Sequence, residues 1–598
     1  MPLRMVQNGR NQQGHVHHQT VHLVGLLAIR WSLWTSHRVY NDLWRVCPCI
    51  TCRLHVWHTI SQDWNLFRLN HTVLVHEYAS LGAPFVTRVP ATPWRTPARL
   101  LHANGKLADE LGIDDLLSNP GTLGVLSGSH PLAGYDALAS VYCGHQFGVF
   151  VPQLGDGRAL LIGEVRSQGA YHQLQLKGAG PTPYSRHADG RAVLRSSIRE
   201  YLASHAMHHL GIPTTRALSL TASHDPVFRE TTETAAIVCR VSESFLRFGH
   251  IEFFAYSNQH AALRELLVWH IAQHHPELNA PDNPEADITQ VALDWFETVA
   301  LRTARMVALW QAVGFCHGVM NTDNMSLLGL TIDYGPYGFL DNFDINHICN
   351  HSDDRGRYSY RNQPAVAHWN LHALAHALAQ IVPAEQSEYQ ARLDRFAEEF
   401  HRVHSQVFAA KLGLWRNTDG PRPDFSSHPA AAIEWVHSLA NTPAKPEHDE
   451  FIEYTLNWLH ENTLDMTRFF RSLSALNPRL PMAENWSSWQ RHGAFALSLG
   501  NQAHVENGQA WLSRWLAAQQ AFGADSTTTG EQLDHINPAV VARNHLLQEV
   551  IEAAQQDQLE PLNKLFAALS DPYGNTQPDE YTNAPPEWAR SLVLSCSS

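Results

Sequence analysis

Residues 317–324 read HGVMNTDN, and residues 332–335, after an apolar stretch, read IDYG. This stretch brings two carboxylates, Asp323 and Asp333, close in the chain to the amide of Asn324. Carboxylate and amide side chains offer hard oxygen atoms, which are the ligands that Mg²⁺ and Mn²⁺ prefer. The stretch therefore predicts a metal-assisted site, and it is the sharpest chemical signal in the chain.

The spacing of these residues is that of the metal-binding half of a protein-kinase site. In kinases, H-R-D-x-x-x-x-N supplies a base and a metal ligand, and D-F-G supplies a second ligand. Asn324 lies seven residues after His317, and Asp333 opens an Asp-Tyr-Gly triplet, but the position of the kinase base is Val319. The nearest carboxylate is Asp323. Two interpretations follow: a pseudokinase, or a transfer reaction that holds its nucleotide in another orientation.

Two features upstream are typical of phosphate binding. Gly155 and Gly157 precede a predicted strand, where glycines let the backbone approach a phosphate and Arg158 adds charge. Taken alone, this motif is better explained as a plain turn. Lys177 ends an alternating strand over residues 171–177, which is the position of the kinase lysine, although an isolated strand lysine is usually solvated.

A predicted helix follows over residues 191–210. Its apolar residues recur at four-residue spacing, and Gly211 and Pro213 predict its end. Glu200 on this helix is placed as a partner for Lys177, and a surface glutamate is an equally good explanation.

Arg240 and Arg247 are seven residues apart, so two turns of a helix would put them on one face. Planar guanidinium groups suit a polyphosphate. A solvated helix face, or one paired with Glu243, explains the same spacing equally well.

Composition limits the class of protein. The chain has 598 residues, enough for two to four domains or for one large two-lobed enzyme, and 44% of them are hydrophobic. The net charge of −14 disfavours a nucleic-acid coat or an anionic membrane surface. Eight cysteines are too few for a disulfide framework, and the apolar run Leu23–Ile29 is too short to span a membrane. We therefore expect a cytoplasmic protein with no nucleic-acid or membrane partner.

Composition and hydrophobic periodicity divide the chain into three regions. Residues 1–75 are rich in His and Trp without a regular period, and we interpret them as an atypical extension, explicable by a mis-assigned start. A zinc site at Cys47, Cys49 and Cys52 is less favoured, because no second ligand pair stands at the usual spacing. Residues 76–260 read as strands with one helix. Residues 261–598 are mainly helical, with helices predicted at 261–274, 293–313, 368–381 and 540–554.

The chain resembles the selenoprotein O family, the YdiU-like proteins, through several motifs. They are YCGHQFG at 142–148, PQLGDGR at 152–158, LKGAGPTPYSR at 176–186, DGRA at 189–192, the whole of 317–340, NP at 537–538, RNH at 543–545 and SCSS at 595–598. The resemblance implies an α+β, bilobal, protein-kinase-like fold, with a small strand-rich N-lobe at 76–260 and a large helical C-lobe at 261–598.

The resemblance also implies a reaction. AMP from ATP, or in some members UMP from UTP, passes to protein hydroxyls with Mg²⁺ or Mn²⁺, and the nucleotide is bound end for end relative to a kinase. Residue by residue, Asp323 is similar to the catalytic base, and Asn324 and Asp333 are similar to the metal ligands. The nucleotide contacts are then Gly155, Gly157, Arg158, Lys177, Asp189, Gly190 and Asp333, with Glu200 as partner of Lys177 and with Arg240 and Arg247 on the γ-phosphate.

Several points stay open at the level of sequence. The implied partners are proteins modified on Ser, Thr or Tyr, with redox proteins as candidates. Cys596 occupies the position where the family often carries selenocysteine, and an ordinary exposed cysteine explains it as well. An ordinary kinase and a non-catalytic nucleotide-binding scaffold are the rival interpretations of the whole chain.

Overall fold

The computed structural model describes residues 72–118, 121–167, 169–281, 283, 286–416, 420–491, 502–521 and 530–594. The predicted cysteine cluster at residues 47–52 and the tail cysteine Cys596 lie outside these ranges. Cys143, Cys239, Cys316 and Cys349 are described, and each is a free, buried thiol.

An antiparallel sheet forms the first part of the described chain. Its strands are β1 (Thr72–Val75), β2 (Val86–Arg88), β3 (Arg99–Ala103), β4 (Leu138–Ser140), β7 (Ala159–Ser167), β8 (Ala170–Lys177), β9 (Ala192–Val193), β10 (Arg216–Phe228) and β11 (Thr232–Ser242). The order is β2-β4-β7-β8-β11-β10-β3, with β1 on β7 and β9 on β11. From the sequence alone, we interpret residues 1–75 as an atypical extension. Because β1 pairs with β7, the last four of these residues, 72–75, belong to this sheet.

Two short hairpins stand apart from the large sheet. One pairs β5 (Gly144–Gln146) with β6 (Val149–Val151), and the other pairs β12 (Phe315–Cys316) with β13 (Gly338–Phe339). The first hairpin turns through Phe147 and Gly148, which both have positive φ. The second brackets the stretch that contains Asp323 and Asp333.

The strand predicted over residues 171–177 is confirmed as β8, and its alternation decides what reaches the site. Leu174 and Leu176 pack in an apolar cluster on one face of the sheet. Gln173, Gln175 and Lys177 point to the other face and are also buried. Because helices cover both faces, the polar face of this strand lines an interior site and does not meet bulk solvent.

Helices make up most of the remainder. They are α1 (Gly105–Leu111), α2 (Asp114–Ser118), α3 (Thr122–Leu126), α4 (Leu194–His209), α5 (Phe248–Tyr256), α6 (His260–His274), α7 (Thr289–Ala312), α8 (Gln363–Leu378), α9 (Gln386–Lys411), α10 (Ala431–Ser438), α11 (Pro446–Glu461), α12 (Met466–Ser472), α13 (Met482–Arg491), α14 (Gln502–Ala521), α15 (Gly530–Asp534), α16 (Asn544–Gln555), α17 (Glu560–Leu569) and α18 (Asp579–Thr582).

The five predicted helices are present, with shifted ends. Helix α8 starts five residues before its predicted start because Pro364 occupies its first turn, where a missing N–H costs nothing. Helix α16 starts four residues late, since Arg543 before it is extended. The described chain is thus a mixed α and β structure with an antiparallel sheet, as the predicted α+β class requires.

Helix α4 crosses the sheet and carries Glu200 to the site. Its residues Ile198, Leu202 and Ala206 are fully buried, as their spacing predicts, and each large apolar side chain stabilises the fold by about 1.5–3 kcal/mol. The helix ends at His209, and Gly211, just after the cap residue Leu210, has a left-handed φ of 78°. It packs against β10 and β11 on one side and against α16 and α17 on the other.

Helix α7 is the longest element after α9, and the two pack along each other. Trp295 and Trp310 of α7 are completely buried. The α7 helix leads directly into β12 and so into the loop of Asp323. No helix among the described residues is long and apolar enough to cross a bilayer.

Candidate active site

A cluster of buried charges joins the sheet, helix α4 and the loop after β12. The Lys177 ammonium lies 2.7 Å from a carboxylate oxygen of Glu200 and 3.0 Å from Asp333 Oδ1. Glu200 is 4% exposed, so of the two sequence interpretations the partner of Lys177 is the one observed. The strand lysine is therefore an interior ion-pair partner and not a solvated residue.

Both arginines join this cluster, but not from a helix. Arg240 lies in strand β11, and Arg247 is the extended residue just before α5, so the predicted single helical face is wrong. Strand pairing, and not a helical face, brings Arg240 to the site. Arg240 on β11 lies opposite Gln175 on the neighbouring strand β8, which also carries Lys177. Arg240 Nη1 lies 3.2 Å from Glu200 Oε1 and 2.5 Å from Asp333 Oδ1, and Arg247 pairs with Asp333 Oδ2.

Asp333 is the centre of the cluster. Burial alone would raise its pKa, but Arg247, Lys177 and Arg240 hold the pKa of this carboxyl well below its ordinary value. Its φ of 62° is left-handed, a region in which Asp is found more often than most non-glycine residues. Three cations around two carboxylates leave an excess of positive charge, which is an environment for an anionic ligand such as a polyphosphate.

Asp323 differs from Asp333 in every respect. Its carboxylate is 7% exposed and has no ion-pair partner among the described residues. Its Oδ2 accepts a long hydrogen bond of 3.4 Å from Gln146 Nε2, and its Oδ1 is buried without a hydrogen-bond partner. Burial raises the pKa of Asp323 to about 7, although Arg247 opposes the shift. A carboxylate with a pKa near neutrality, and with a free oxygen, has the properties of a general base.

Asn324 lies next to this carboxylate in the chain. Its amide nitrogen donates to the carbonyl of Val319 at 3.0 Å, so the side-chain oxygen is the atom left for a metal ion. Across the described part of the chain no group of three His, Cys, Asp or Glu side chains is placed to hold a metal. Asn324 and Asp333 together offer hard oxygens, and Mg²⁺ commonly takes one or two protein ligands and completes its shell with phosphates and water. The residues present fit such an ion.

The glycine turn of residues 155–157 comes directly before Arg158. Gly155 has a φ of 122°, and a Cβ there would come within 2.6 Å of the Tyr184 ring and 2.8 Å of the Ser140 carbonyl. Arg158, just after the turn, lines a cavity with Lys177 and Glu200. At Gly157 a Cβ would lie 3.1 Å from the Tyr184 carbonyl, so both glycines let this turn pack closely.

Two of the predicted nucleotide contacts lie away from the charge cluster. The Asp189 carboxylate is 42% exposed and pairs with Arg229 at 2.9 Å. Gly190 has a φ of 66° and packs on the backbone of Gly180, the last glycine of the loop after Lys177. The structure thus joins these residues to the β8 loop but not to Asp333.

A buried relay next to the site has no counterpart in the sequence reasoning. The Arg247 N–H donates to His250 Nδ1 at 3.0 Å, so His250 Nε2 carries the proton and donates to Ser140 Oγ at 3.0 Å. The Ser140 hydroxyl in turn donates to Asp156 Oδ2 at 2.6 Å. Burial lowers the pKa of His250 to about 3, which keeps the ring neutral. This relay ties the glycine turn to Arg247.

Gln146 and Gln175 are further site residues that the sequence reasoning missed. Gln146 donates to Asp323, and Gln175 accepts from Arg240. Gln146 lies within the YCGHQFG motif, which is the signal that could have found it. Gln175 is recognisable as a site residue only once β8 and β11 are paired.

Comparison with known proteins places this site in a family. The family described as "Protein adenylyltransferase SelO" matches residues 66–570. Proteins named "Protein nucleotidyltransferase YdiU" from Bordetella avium, Bordetella petrii and Methylococcus capsulatus are 42%, 45% and 44% identical to this chain. The alignments cover 89%, 88% and 87% of this chain and 100%, 98% and 95% of the relatives.

These matches show a nucleotidyltransferase, an enzyme whose substrate is a nucleotide. The chain belongs to the SelO family, which confirms the resemblance drawn from the motifs.

Proposed function

We propose that this enzyme transfers AMP from ATP, or UMP from UTP, to Ser, Thr or Tyr hydroxyls of proteins and releases pyrophosphate. The observation that carries the proposal is the contrast between Asp323 and Asp333. One carboxylate is buried without an ion pair among the described residues, with a pKa raised to about 7, while the other is held ionised by Lys177, Arg240 and Arg247. A base and an anion site thus lie side by side.

The transfer step uses these residues as follows. The acceptor hydroxyl oxygen attacks the α-phosphorus, and its proton passes to an oxygen of the Asp323 carboxylate. The bond between the α-phosphorus and the oxygen that bridges to the β-phosphate breaks, and its electron pair leaves with pyrophosphate. A base with a pKa near the working pH accepts a proton most effectively, because it is both largely ionised and basic.

The cations stabilise charge that develops during the step. In the proposal, Arg240 and Arg247 bind the γ-phosphate of an inverted nucleotide, and Lys177, positioned by Glu200, binds another phosphate. Gly155, Gly157, Arg158, Asp189 and Gly190 are assigned as further nucleotide contacts. Fixed cations in a buried site act more strongly than in water, because little solvent screens them.

Asn324 and Asp333 would hold the divalent ion. A bound Mg²⁺ or Mn²⁺ would neutralise negative charge on the phosphoryl oxygens and on the leaving pyrophosphate. Asp333 could ligate the ion in place of its contacts with Lys177, Arg240 and Arg247, because bound phosphates would give those cations other partners.

The protein-kinase-like architecture is part of the same proposal. A lysine on a strand pairs with a glutamate on the helix that follows, and a loop with an amide and an acidic triplet lies opposite. We assign the N-lobe to residues 76–260 and the C-lobe to 261–598. Val319 occupies the position of the kinase base, so transfer of the γ-phosphate would lack its usual proton acceptor. When the nucleotide is reversed, Asp323 takes the role of the proton acceptor for transfer at the α-phosphate.

The test compares ATP labelled at the α-phosphate with ATP labelled at the γ-phosphate, with Mg²⁺ or Mn²⁺, on wild type and Asp323→Ala. We expect label in protein from the α position, its loss in the variant, and retained ATP binding. Asp136→Ala is the matched control, because Asp136 is a surface carboxylate that pairs with exposed Arg88.

Other outcomes have distinct meanings. Label from the γ position would make the enzyme a kinase. ATP binding without any transfer would favour the interpretation as a non-catalytic nucleotide-binding scaffold. Transfer by Asp323→Ala at the wild-type rate would remove Asp323 from the role of base, whichever phosphate carries the label.

A further inference from the structure

The β5–β6 hairpin presents an apolar surface beside the site. Val149 is 68% exposed, and the rings of Phe147, Phe150, Tyr256 and Trp369 are each 37–39% exposed. We call these five residues the hairpin surface. Large apolar side chains clustered at the surface of a protein mark interaction sites more often than isolated ones do, and aromatic residues are enriched among them.

Ring contacts hold much of the hairpin surface in one arrangement. The Phe150 ring lies 5.2 Å from the ring of Tyr256, and the His145 ring lies 5.1 Å from Phe150 and 5.3 Å from Trp369. His145 is itself fixed by the fully buried carboxylate of Glu252, 2.7 Å from its Nδ1. The surface is therefore ordered before any partner arrives, which lowers the entropic cost of binding.

A groove of about 670 Å³ adjoins the hairpin surface, and both arginines and aspartates line it. Phe147 and Trp369 lie on its walls together with Arg355, Arg357, Asp353 and Asp354, and Asp353 accepts hydrogen bonds from the backbone N–H groups of Arg357 and Tyr358. The Arg357 guanidinium stacks over the Trp369 ring at 4.8 Å. Within the described residues no ion pair engages Arg355 or Arg357. The two guanidinium groups beside the aromatic rings are thus placed to bind a carboxylate next to an apolar side chain.

The same hairpin forms one wall of the catalytic site. A Cβ on Gly144 would lie 2.4 Å from Asp323 Oδ1, and Gln146 Nε2 is 3.4 Å from Asp323 Oδ2. The Phe147 N–H donates to Asn321 in the loop of Asp323 at 3.2 Å. Residues 144 and 146 face the base, and His145 faces the aromatic rings, because side chains alternate along a strand. The hairpin surface is therefore contiguous with the wall of the site that contains Asp323.

We propose that the hairpin surface and its groove bind the acceptor protein, through an extended segment that carries the hydroxyl residue with an apolar side chain and a carboxylate near it. This inference rests on the proposed function. Continuity with Asp323 places the hydroxyl, the aromatic rings bind the apolar side chain, and Arg355 and Arg357 bind the carboxylate. The groove has the volume of a side-chain site and not of a whole domain.

The test uses two short fluorescent peptides with a central Tyr, one flanked by Phe and Asp and the other by Ser and Lys. We expect wild type to bind the first about tenfold more tightly, which corresponds to about 1.4 kcal/mol. Trp369→Ala and Arg355→Glu should each remove most of this preference without changing the Kd for ATP. Trp588→Ala is the matched control, since this tryptophan is 43% exposed outside the hairpin surface and the groove.

Binding tests the surface, and transfer of α-label to the same peptides tests the chemistry. Selective binding without transfer would support the surface and refute the proposed function. Equal binding of both peptides, or a preference that both variants retain, would overturn the surface even if label is transferred. A wild-type dimer that Trp369→Ala dissociates would identify a second copy as the occupant and would also overturn the proposal.

Discussion

Replacing Asp323 with Asn is expected to stabilise the protein at alkaline pH while it abolishes transfer. Burial raises the pKa of this carboxyl from the ordinary 3.8 to about 7, so the folded protein holds an unfavourable carboxylate above neutrality. One pKa unit corresponds to about 1.4 kcal/mol, so ionised Asp323 lowers the free energy of unfolding by about 4 kcal/mol. Asn has the same shape and no charge.

The pH dependence gives this prediction its sign. Below about pH 4 the carboxyl is protonated in both states and costs nothing. Between about pH 4 and 7 only the unfolded chain ionises, so stability falls as pH rises, and above pH 7 the loss is complete. The gain from Asp323→Asn should therefore be about 3 kcal/mol larger at pH 8 than at pH 4.5.

Thermal unfolding at the two pH values measures the difference. With an unfolding entropy of about 2.1 cal/mol/K per residue over about 500 residues, 3 kcal/mol corresponds to a Tm difference of about 3 °C. Asp136→Asn should show no such difference, because an exposed ion pair contributes little. An equal change in Tm at both pH values would refute the reasoning, since the effect would not come from ionisation of Asp323.

Three further substitutions test other parts of the site. Arg240→Ala should weaken ATP binding far more than AMP binding in calorimetry, because the proposal places this arginine on the γ-phosphate; equal losses would contradict that role. Glu200→Ala should lower the free energy of unfolding by about 3–5 kcal/mol in urea, since it leaves buried Lys177 and Arg240 without one of their carboxylates; unchanged stability would mean that the pairs contribute nothing. Gly155→Ala should lower Tm and ATP affinity together, because its Cβ would meet Tyr184 and the Ser140 carbonyl; the same change at Gly105, where a Cβ has open space, is the control.

Much of the site was predictable because it depends on short-range spacing. The alternation that ends at Lys177 and the four-residue period around Glu200 predicted a strand and a helix, and both are present. The separation of His317, Asn324 and Asp333 identified the loop. Boundaries were less accurate where a proline or an extended residue shifted the first turn, as at α8 and α16.

The arginine pair was misassigned because spacing along the chain does not reveal pairing between strands. Arg240 and Arg247 are seven residues apart in either conformation, and only the register of β11 on β8 places Arg240 opposite Gln175 and near Lys177. The relay from Arg247 through His250 and Ser140 to Asp156 joins segments far apart in the chain, so no local pattern could predict it.

The sequence by itself determined the family, the strand and helix that carry Lys177 and Glu200, and the identity of the acidic loop, because these depend on residue type and short-range period. Tertiary structure alone decided how the two carboxylates differ. Asp333 is ion-paired with three cations and stays ionised, whereas Asp323 is buried without an ion pair among the described residues and has a pKa of about 7. Desolvation and charge proximity depend on what folds around a group, and the same residue type in the same loop therefore takes opposite properties.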